Sequence, residues 1–249
     1  MKLYILGSGT CVPYERRGSS GYALRLSTST VLLDCGSGTT WKLEKVGINY
    51  LEIDHIFISH RHPDHTADLV PFLFATRYAS KLERRTPLII YGGKGFEDFF
   101  LALQEAYKDW IVPSSLQIRE IEEGILKFED FTVTAKETLH MEGSLAYRIE
   151  SEGKSLVYSG DTDYSDSLIE LSKDADVLVI ECSFPDEESK VKGHLTPREV
   201  GKIAKEAGVK KLVITHLYPI CDEVDVIGAL KDKYKGEVVI AEDLLELEI

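Results

Sequence analysis

The stretch ISHRHPDHTADL, residues 58–69, places three histidines and two aspartates within twelve positions. Neutral imidazole and carboxylate groups are ligands of zinc, and manganese or iron also accept them. A catalytic zinc ion takes about three protein ligands and a water molecule. The residues of the stretch suited to this role are His60, His62, Asp64 and His65. Four ligands are too many for one open site and too few for two ions, so the stretch predicts half of a larger metal centre.

Three further candidate ligands follow predicted strands later in the chain. His140 ends FTVTAKETLH, Asp161 follows KSLVYSG, and His216 ends KLVITH. Loops at strand ends are where functional sites gather on α/β scaffolds, so this shared placement predicts that the three residues meet. With them the chain offers seven ligands, which divide between two metals that share one carboxylate. A polar loop or turn residue remains the alternative for each one taken alone, Asp161 in SGDT above all.

Three other polar residues near the stretch are predicted to have no part in the chemistry. His55 precedes an apolar strand and has no partner nearby in the sequence, so we interpret it as structural. Ser59 and Thr66 flank the histidines, and we interpret them as an ordinary loop residue and an ordinary helix-start residue.

Strand and helix patterns follow one another along the chain, with a strand-rich middle. Apolar runs such as DHIFIS (54–59) and DVLVIEC (176–182) are typical of strands buried on both faces. TPREVGKIAKEAG predicts a helix with Thr196 as its N-cap and Pro197 at its first position. Strand runs dominate the middle of each half, and helices precede and follow them. This order predicts one α/β domain over residues 1–249, with two packed sheets and helices outside.

Composition excludes several classes of function. The chain has 249 residues, 43% of them hydrophobic, with a net charge of −13, which argues against tight non-specific binding of nucleic acid. Membrane association is not expected, since no apolar run approaches the roughly 18 residues needed to cross a bilayer. The N-terminal segment MKLYILGSGT does not resemble a signal peptide. The four cysteines, at 11, 35, 182 and 221, form no CxxC pair, which predicts free thiols and a cytoplasmic protein.

The segment SHRHPDH resembles the H-x-H-x-D-H signature of the metallo-β-lactamase superfamily, and the later order His140, Asp161 in SGDT and His216 in ITH is similar as well. Within the superfamily the chain resembles ribonuclease Z, the tRNA 3′-end processing endonuclease, and its smaller phosphodiesterase relatives. LLDCGSGTTWKL, PLIIYGGKGFEDFF and the C-terminal GHLTPREVGKIAKEAGVKKLVITH carry this likeness, which covers nearly the whole chain. The resemblance implies the four-layer αβ/βα sandwich, with two mixed sheets between outer helices.

The resemblance also implies a role for each site residue. One metal would take His60, His62 and His140, a second would take Asp64, His65 and His216, and Asp161 would bridge them. The implied cofactor is two Zn²⁺ ions, with Mn²⁺ or Fe as alternatives. His194 would be the general acid that protonates the leaving oxygen, because histidine holds a proton near neutral pH. Glu181 would orient it, and Asp64 counts among the catalytic residues as well as the ligands.

Two departures from ribonuclease Z bear on the substrate. Only 21 positions separate His140 from Asp161, which leaves no room for the long arm that grips the tRNA elbow. The loop that reads the tRNA 3′ end in that family, of P-x-K-x-R-N type, stands here as PYERRG, with Glu15 and Gly18 at altered positions. These departures favour a small or short nucleotide-like ester over tRNA as the partner.

Several functions share the implied chemistry. The first hypothesis is a dinuclear zinc phosphodiesterase in which a bridging hydroxide attacks a nucleotide-like diester or an RNA 3′ end. A sulfatase, lactonase or thioesterase would use the same attacking group, because fold does not settle function. His62 argues against a di-iron protein, which carries Glu there, and a complete ligand set argues against a non-catalytic metal-binding module. The apolar helix DLVPFLFATRYASKL (68–82) leaves a homodimer open.

Overall fold

Two mixed β-sheets form the centre of the computed structural model, which describes residues 1–79, 86–186, 188 and 190–249. The strands within these ranges are β1 (Lys2–Gly7), β2 (Gly21–Arg25), β3 (Thr30–Leu33), β4 (Ile53–Phe57), β5 (Leu88–Gly92), β6 (Leu116–Glu120), β7 (Gly124–Lys127), β8 (Thr132–Glu137), β9 (Leu145–Ser151), β10 (Lys154–Tyr158), β11 (Val177–Glu181), β12 (Lys211–Thr215), β13 (Glu237–Ile240) and β14 (Glu246–Glu248). The helices are α1 (Thr39–Lys45), α2 (Pro63–Thr66), α3 (Leu69–Arg77), α4 (Phe96–Tyr107), α5 (Asp166–Leu171), α6 (Pro197–Ala207) and α7 (Val226–Lys231). Short 3₁₀ turns cover Tyr50–Glu52, Lys108–Ile111 and Pro219–Glu223.

Each sheet combines a parallel half with an antiparallel half. The first has the order β14-β1-β2-β3-β4-β5-β6, and the second has the order β13-β12-β11-β10-β9-β8-β7. Strands β3 to β6 run parallel in the first sheet, as do β10 to β13 in the second, and the remaining pairs are antiparallel. The carboxyl ends of the parallel strands therefore meet along a common edge in each sheet.

The hydrophobic core has three layers, which define a four-layer sandwich. The central cluster joins the inner faces of the two sheets, and the ring of Phe57 lies 5.4 Å from that of Tyr147 across the interface. The hydroxyl of Tyr147 donates to the carbonyl of Ile58, and the amide of Leu145 donates to the carbonyl of Ser59. Two outer clusters pack helices against the opposite face of each sheet. The predicted αβ/βα sandwich of two mixed sheets with helices outside is confirmed.

Most predicted elements occur where their patterns place them. Helix α6 begins at Pro197, and Thr196 and Glu199 form a reciprocal capping box at its N-terminus. The helix predicted to extend through residues 68–82 is α3, which ends at Arg77, and residues 80–82 of that prediction lie outside the described ranges. Strand β7 and helix α5 carry weak patterns and were not predicted.

Candidate metal centre

The first group of ligand atoms comes from His60, His62 and His140. His60 and His62 follow the carboxyl end of β4, and His140 follows β8. Nδ1 of His62 lies 3.0 Å from Nε2 of His60 and 3.2 Å from Nε2 of His140. Three imidazole nitrogens thus converge on one point at the edge of the sandwich, an arrangement able to hold a metal ion.

The second group comes from Asp64, His65 and His216. The first two lie in α2, which starts at Pro63 directly after the histidine pair, and His216 follows β12. Oδ2 of Asp64 lies 3.3 Å from Nε2 of His216 and 3.8 Å from Nε2 of His65, and the two histidine Nε2 atoms are 3.4 Å apart. These atoms also lie close enough together to share one ion.

Asp161 lies between the two groups and turns one oxygen toward each. Its Oδ2 is 3.7 Å from Nε2 of His60 and 3.9 Å from Nε2 of His140. Its Oδ1 is 3.4 Å from Nε2 of His65 and 3.5 Å from Nε2 of His216. Asp161 is buried, and within the described part of the chain its Oδ1 has no hydrogen-bond donor. A buried carboxylate oxygen in this state needs a hydrogen-bond donor or a cation.

Asp34 and Ser59 fix the orientation of two of the histidines. Oδ2 of Asp34 accepts from Nδ1 of His65 at 2.6 Å and from Oγ of Ser59 at 2.7 Å. Ser59 Oγ lies 3.0 Å from Nδ1 of His60 and, since its own proton goes to Asp34, it is placed to accept a hydrogen bond from that nitrogen. The Nε2 lone pairs of His60 and His65 are thereby directed into the centre. The interpretation of Ser59 as an ordinary loop residue is wrong, because its hydroxyl bridges Asp34 and the candidate ligand His60.

Ser183 and Gly193 orient two more histidines in the same way. Nδ1 of His216 lies 2.9 Å from Oγ of Ser183, which donates its own proton to Glu181. Nδ1 of His140 donates to the carbonyl of Gly193 at 2.9 Å. Gly193 has φ of +87°, and a Cβ there would lie 2.8 Å from the same His140 nitrogen, so this close approach requires glycine.

His194 pairs with Glu181 beside the donor groups, and it also lies close enough to Asp161 and His216 to share an ion with them. Glu181 ends β11 and is buried, and its Oε1 lies 3.1 Å from Nδ1 of His194. The amide of Thr162 donates to Oε1, and the amide of Leu195 donates to Oε2, so the carboxylate is held rigidly. Nδ1 of His194 also lies 4.0 Å from Oδ2 of Asp161, so its ring adjoins the ligand groups.

The electrostatics of the centre favour a cation between the carboxylates. Burial opposes ionisation of Asp161, but His216 and His65 outweigh it and hold its pKa well below the usual range. Burial likewise opposes protonation of His65, but the charges of Asp161 and Asp34 raise its pKa well above that of free histidine. Asp161 and Asp34 thus favour a positive charge at His65. A metal ion bound to Nε2 of His65 would take the place of the proton there.

The pKa values of His60 and His62 are shifted in the direction opposite to that of His65. Burial, together with the charge of His65, lowers the pKa of His60, and burial with His140 lowers the pKa of His62. Neutral imidazole is the form that binds metals. Burial also opposes protonation of His194, but its hydrogen bond to Glu181 outweighs this and raises its pKa.

The structure therefore brings together every residue singled out for the site. The nine that share one edge of the sandwich are His60, His62, Asp64, His65, His140, Asp161, Glu181, His194 and His216. His55 lies elsewhere on β4, with its ring 4.7 Å from that of Phe128. Asp34 and Ser183 were missed, although Asp34 directly follows β3 and so satisfies the strand-end criterion that selected the candidate ligands.

The donor set fits divalent metal ions. The nitrogen lone pairs converge in two places, and the Asp161 carboxylate lies between them with one oxygen toward each. His60, His62 and His140 would hold one ion, and Asp64, His65 and His216 would hold the other. Imidazole and carboxylate donors at this ratio suit zinc.

Residues 29–217 match the family described as Beta-lactamase superfamily domain, and the chain belongs to this superfamily. It is 34% identical over 246 residues to the probable metallo-hydrolase YhfI of Bacillus subtilis, and the match covers 97% of each chain. It is 31% identical over 305 residues to Ribonuclease Z of Methanosarcina acetivorans, with all of this chain and 98% of the relative covered.

Solved structures show the same relationships. The crystal structure of YhfI from B. subtilis superimposes with a TM-score of 0.87 at 31% identity, covering 100% of this chain and 99% of that one. Human tRNase Z, short form, superimposes with a TM-score of 0.81 at 27% identity and the same coverage. The prediction of a metallo-β-lactamase hydrolase related to ribonuclease Z is confirmed.

Two composition-based predictions can also be compared with the structure. The described residues contain no helix long and apolar enough to cross a membrane. The structure describes all four cysteines, and each is a free thiol; Cys11 is exposed and the others are buried.

Proposed function

We propose that the chain is a dinuclear zinc phosphodiesterase, and that Asp161 bridges its two ions. The observation that carries this proposal is the division of the Asp161 carboxylate, with Oδ1 toward His65 and His216 and Oδ2 toward His60 and His140. Two divalent ions held there would lower the pKa of bound water and stabilise the charge that develops on a phosphodiester. The names of the relatives, metallo-hydrolase and Ribonuclease Z, support the same reaction class.

His194 is the proposed proton donor to the leaving oxygen. Its Nδ1 is occupied by Glu181, which leaves Nε2 as the nitrogen that can transfer a proton to substrate. Glu181 is a positioning residue in this proposal, since its two oxygens are held by backbone amides and by Ser183. Asp64 is a ligand whose carboxylate would also touch the reacting centre beside His216.

A small or short nucleotide-like diester is the proposed substrate. Guanidinium nitrogens of both Arg16 and Arg17 bind Oδ2 of Asp222, at 3.0 and 2.8 Å, so this carboxylate offsets one of their two positive charges. The alignment with M. acetivorans Ribonuclease Z spans 305 positions and takes in all 249 residues, so at least 56 of those positions have no counterpart here. The alignment with YhfI spans only 246. tRNA is the second candidate substrate, and only the likeness to the Ribonuclease Z relatives supports it.

We also propose that residues 1–249 act as one hydrolase domain in the cytoplasm. The central core that both sheets share supports the single domain, and the free thiols support a reducing compartment. Exposed aromatic rings of Trp41, Phe74 and Tyr78 on or beside α1 and α3 support a homodimer through the outer helices.

The substitution His65→Ala tests the dinuclear centre. We expect hydrolysis of bis-p-nitrophenyl phosphate to fall at least about 100-fold, because one ion loses a ligand and the attacking water loses its activation. His55→Phe is the matched control, since His55 lies among aromatic rings outside the centre. Wild-type activity in His65→Ala would refute the proposal.

The substitution His194→Ala separates the proton donor from the ligands. We expect full metal content, measured by atomic emission, together with a rate loss that grows as the leaving group becomes a poorer one. Loss of metal instead would make His194 a ligand. A panel of pre-tRNA, cyclic nucleotides, aryl sulfates and lactones, assayed with the wild-type protein, decides the bond type.

A further inference from the structure

Two aromatic rings, Phe184 and Tyr218, stack on each other beside the metal centre. Their centroids are 4.5 Å apart and their planes differ by 24°. Both side chains are half-buried rather than enclosed in the core. Neither ring has a part in holding metal or in moving a proton in the proposed mechanism.

The position of this pair follows from the order of the strands. Phe184 lies three residues after Glu181 at the end of β11, and Tyr218 lies two residues after His216, which follows β12. These strands are parallel neighbours, so their two loops leave the sheet side by side, and the amide of Tyr218 donates to the carbonyl of Ser183. Tyr218 therefore lies beside the candidate ligand His216, and Phe184 lies beside His194, the proposed proton donor.

Distances place the pair within reach of a bound substrate. The ring of Phe184 lies 5.7 Å from that of His194, and the ring of Tyr218 lies 6.2 Å from that of His216. On the His140 side, by contrast, charged residues that include Lys94, Glu142 and Lys192 line a cleft of 530 Å³. The centre thus has one aromatic wall and one charged wall.

We propose that Phe184 and Tyr218 form a subsite for a planar aromatic group of the substrate, such as a nucleobase. The phosphate would lie at the donor groups while the ring lies against the aromatic pair. Stacking of a base on an aromatic side chain strengthens binding by roughly 5- to 150-fold and tolerates any base, because each base has a π-face. This inference rests on the proposed function, since it says where one esterified group of the proposed phosphodiester substrate binds.

Two probes that differ only in the base test the subsite. Adenosine 5′-monophosphate and ribose 5-phosphate share the phosphate and the sugar, and their dissociation constants for zinc-loaded protein are measured by calorimetry. We expect the wild type to bind the nucleotide at least about 5-fold more tightly. In Phe184→Leu/Tyr218→Leu this ratio should approach one with little change for ribose 5-phosphate, because leucine keeps the apolar volume and removes the ring.

Matched variants identify the cause of any change. Tyr218→Phe should preserve the ratio because it keeps the ring, and Phe74→Leu repeats the substitution at an exposed aromatic residue on α3, away from the centre. Equal binding of the two probes by the wild type, or an unchanged ratio in the double variant, would overturn the proposal. If the double variant binds neither probe, the single leucine variants decide by the same ratio. A wild type that hydrolyses no diester but prefers the nucleotide would refute the phosphodiesterase and leave the subsite standing.

Discussion

Asp34 gathers four donors around one carboxylate at the carboxyl end of β3. Its oxygens accept from the Ser59 amide, the Ser59 hydroxyl, Nδ1 of His65 and the Tyr158 hydroxyl. The residue is buried and has φ of +56°, a left-handed conformation that aspartate and asparagine tolerate better than other residues. A residue that binds no metal thus fixes the direction of two candidate ligands.

The substitution Asp34→Asn should weaken metal binding while keeping the local backbone. An amide nitrogen would face groups that must donate, so His65 would change tautomer and turn a proton into the centre. We expect zinc affinity to fall about 10- to 100-fold, the usual cost of removing such a partner. Competition with a chromophoric chelator measures it.

Tyr158→Phe serves as the control for Asp34→Asn. It removes one donor to the same carboxylate and leaves the bonds from Ser59 and His65 in place. Its zinc affinity should stay close to that of the wild type. Equal affinities in wild type and Asp34→Asn would show that the tautomer of His65 does not depend on this carboxylate.

At the scale of elements, the capping box of α6 holds the helix that follows His194. The amide of Thr196 donates to Oε2 of Glu199 at 3.0 Å, and the Thr196 hydroxyl accepts from the amide of Glu199. Thr196→Ala should lower the free energy of unfolding by about 1 kcal/mol, because it leaves a helix N-terminal amide without an acceptor.

For a chain of this length such a loss shifts the melting temperature by about 2–4 °C, measurable by calorimetry on chelator-treated protein. Thr196→Ser keeps the hydroxyl and should melt near the wild type. Equal losses in the serine and alanine variants would assign the effect to packing of the methyl group rather than to the cap.

The sequence predicts those elements whose local signals agree with their tertiary setting. Buried parallel strands such as β11 are uniformly apolar, and α6 has a cap, a proline and an amphipathic face. Strand β7 is an exposed edge whose Ile125 is 64% accessible, so it has no alternating pattern to detect. Helix α5 has only six residues, too few for a periodic signal.

The residues of the candidate site likewise include some that the sequence predicts and some that it does not. Candidate ligands could be picked out because histidine and aspartate at strand ends are unusual and clustered, as His60 and His216 illustrate. Supporting groups such as Ser183 could not, since serine is common in loops and its role depends on an acceptor brought close only by folding. The pairing of Glu181 with His194 was implied by the family resemblance and not by the local sequence, because its 3.1 Å contact spans thirteen residues of chain.

Across the whole molecule, Asp130 ties the two sheets together at the edge opposite the metal centre. It lies in the turn between β7 and β8 and accepts from Ser27, Thr28 and Ser29 in the turn between β2 and β3. Partial burial opposes its ionisation, but the hydrogen bond of Ser29 and those of its neighbours outweigh burial and lower its pKa to about 2.

Asp130→Asn should destabilise the protein at neutral pH and lose that effect in acid. A carboxyl whose pKa falls from 3.8 to about 2 on folding contributes stability above pH 4, and this contribution disappears as the pH falls toward 2. Urea unfolding between pH 6 and pH 3 measures the difference between variant and wild type. Glu105→Gln, an exposed change on α4, is the control, and a pH-independent difference would contradict the assignment.

The centre draws its donors from both sheets, with His60, His62, Asp64 and His65 following a strand of one and His140, Asp161 and His216 following strands of the other. The spacing between the two halves is therefore set by how the sheets seat against each other, at contacts such as Phe57 with Tyr147. Substitutions that change side-chain size at this interface would shift the two sets of donors relative to each other without replacing any of them. Laboratory evolution of this scaffold can therefore adjust the centre through the sizes of the side chains between the two sheets, with every candidate ligand kept.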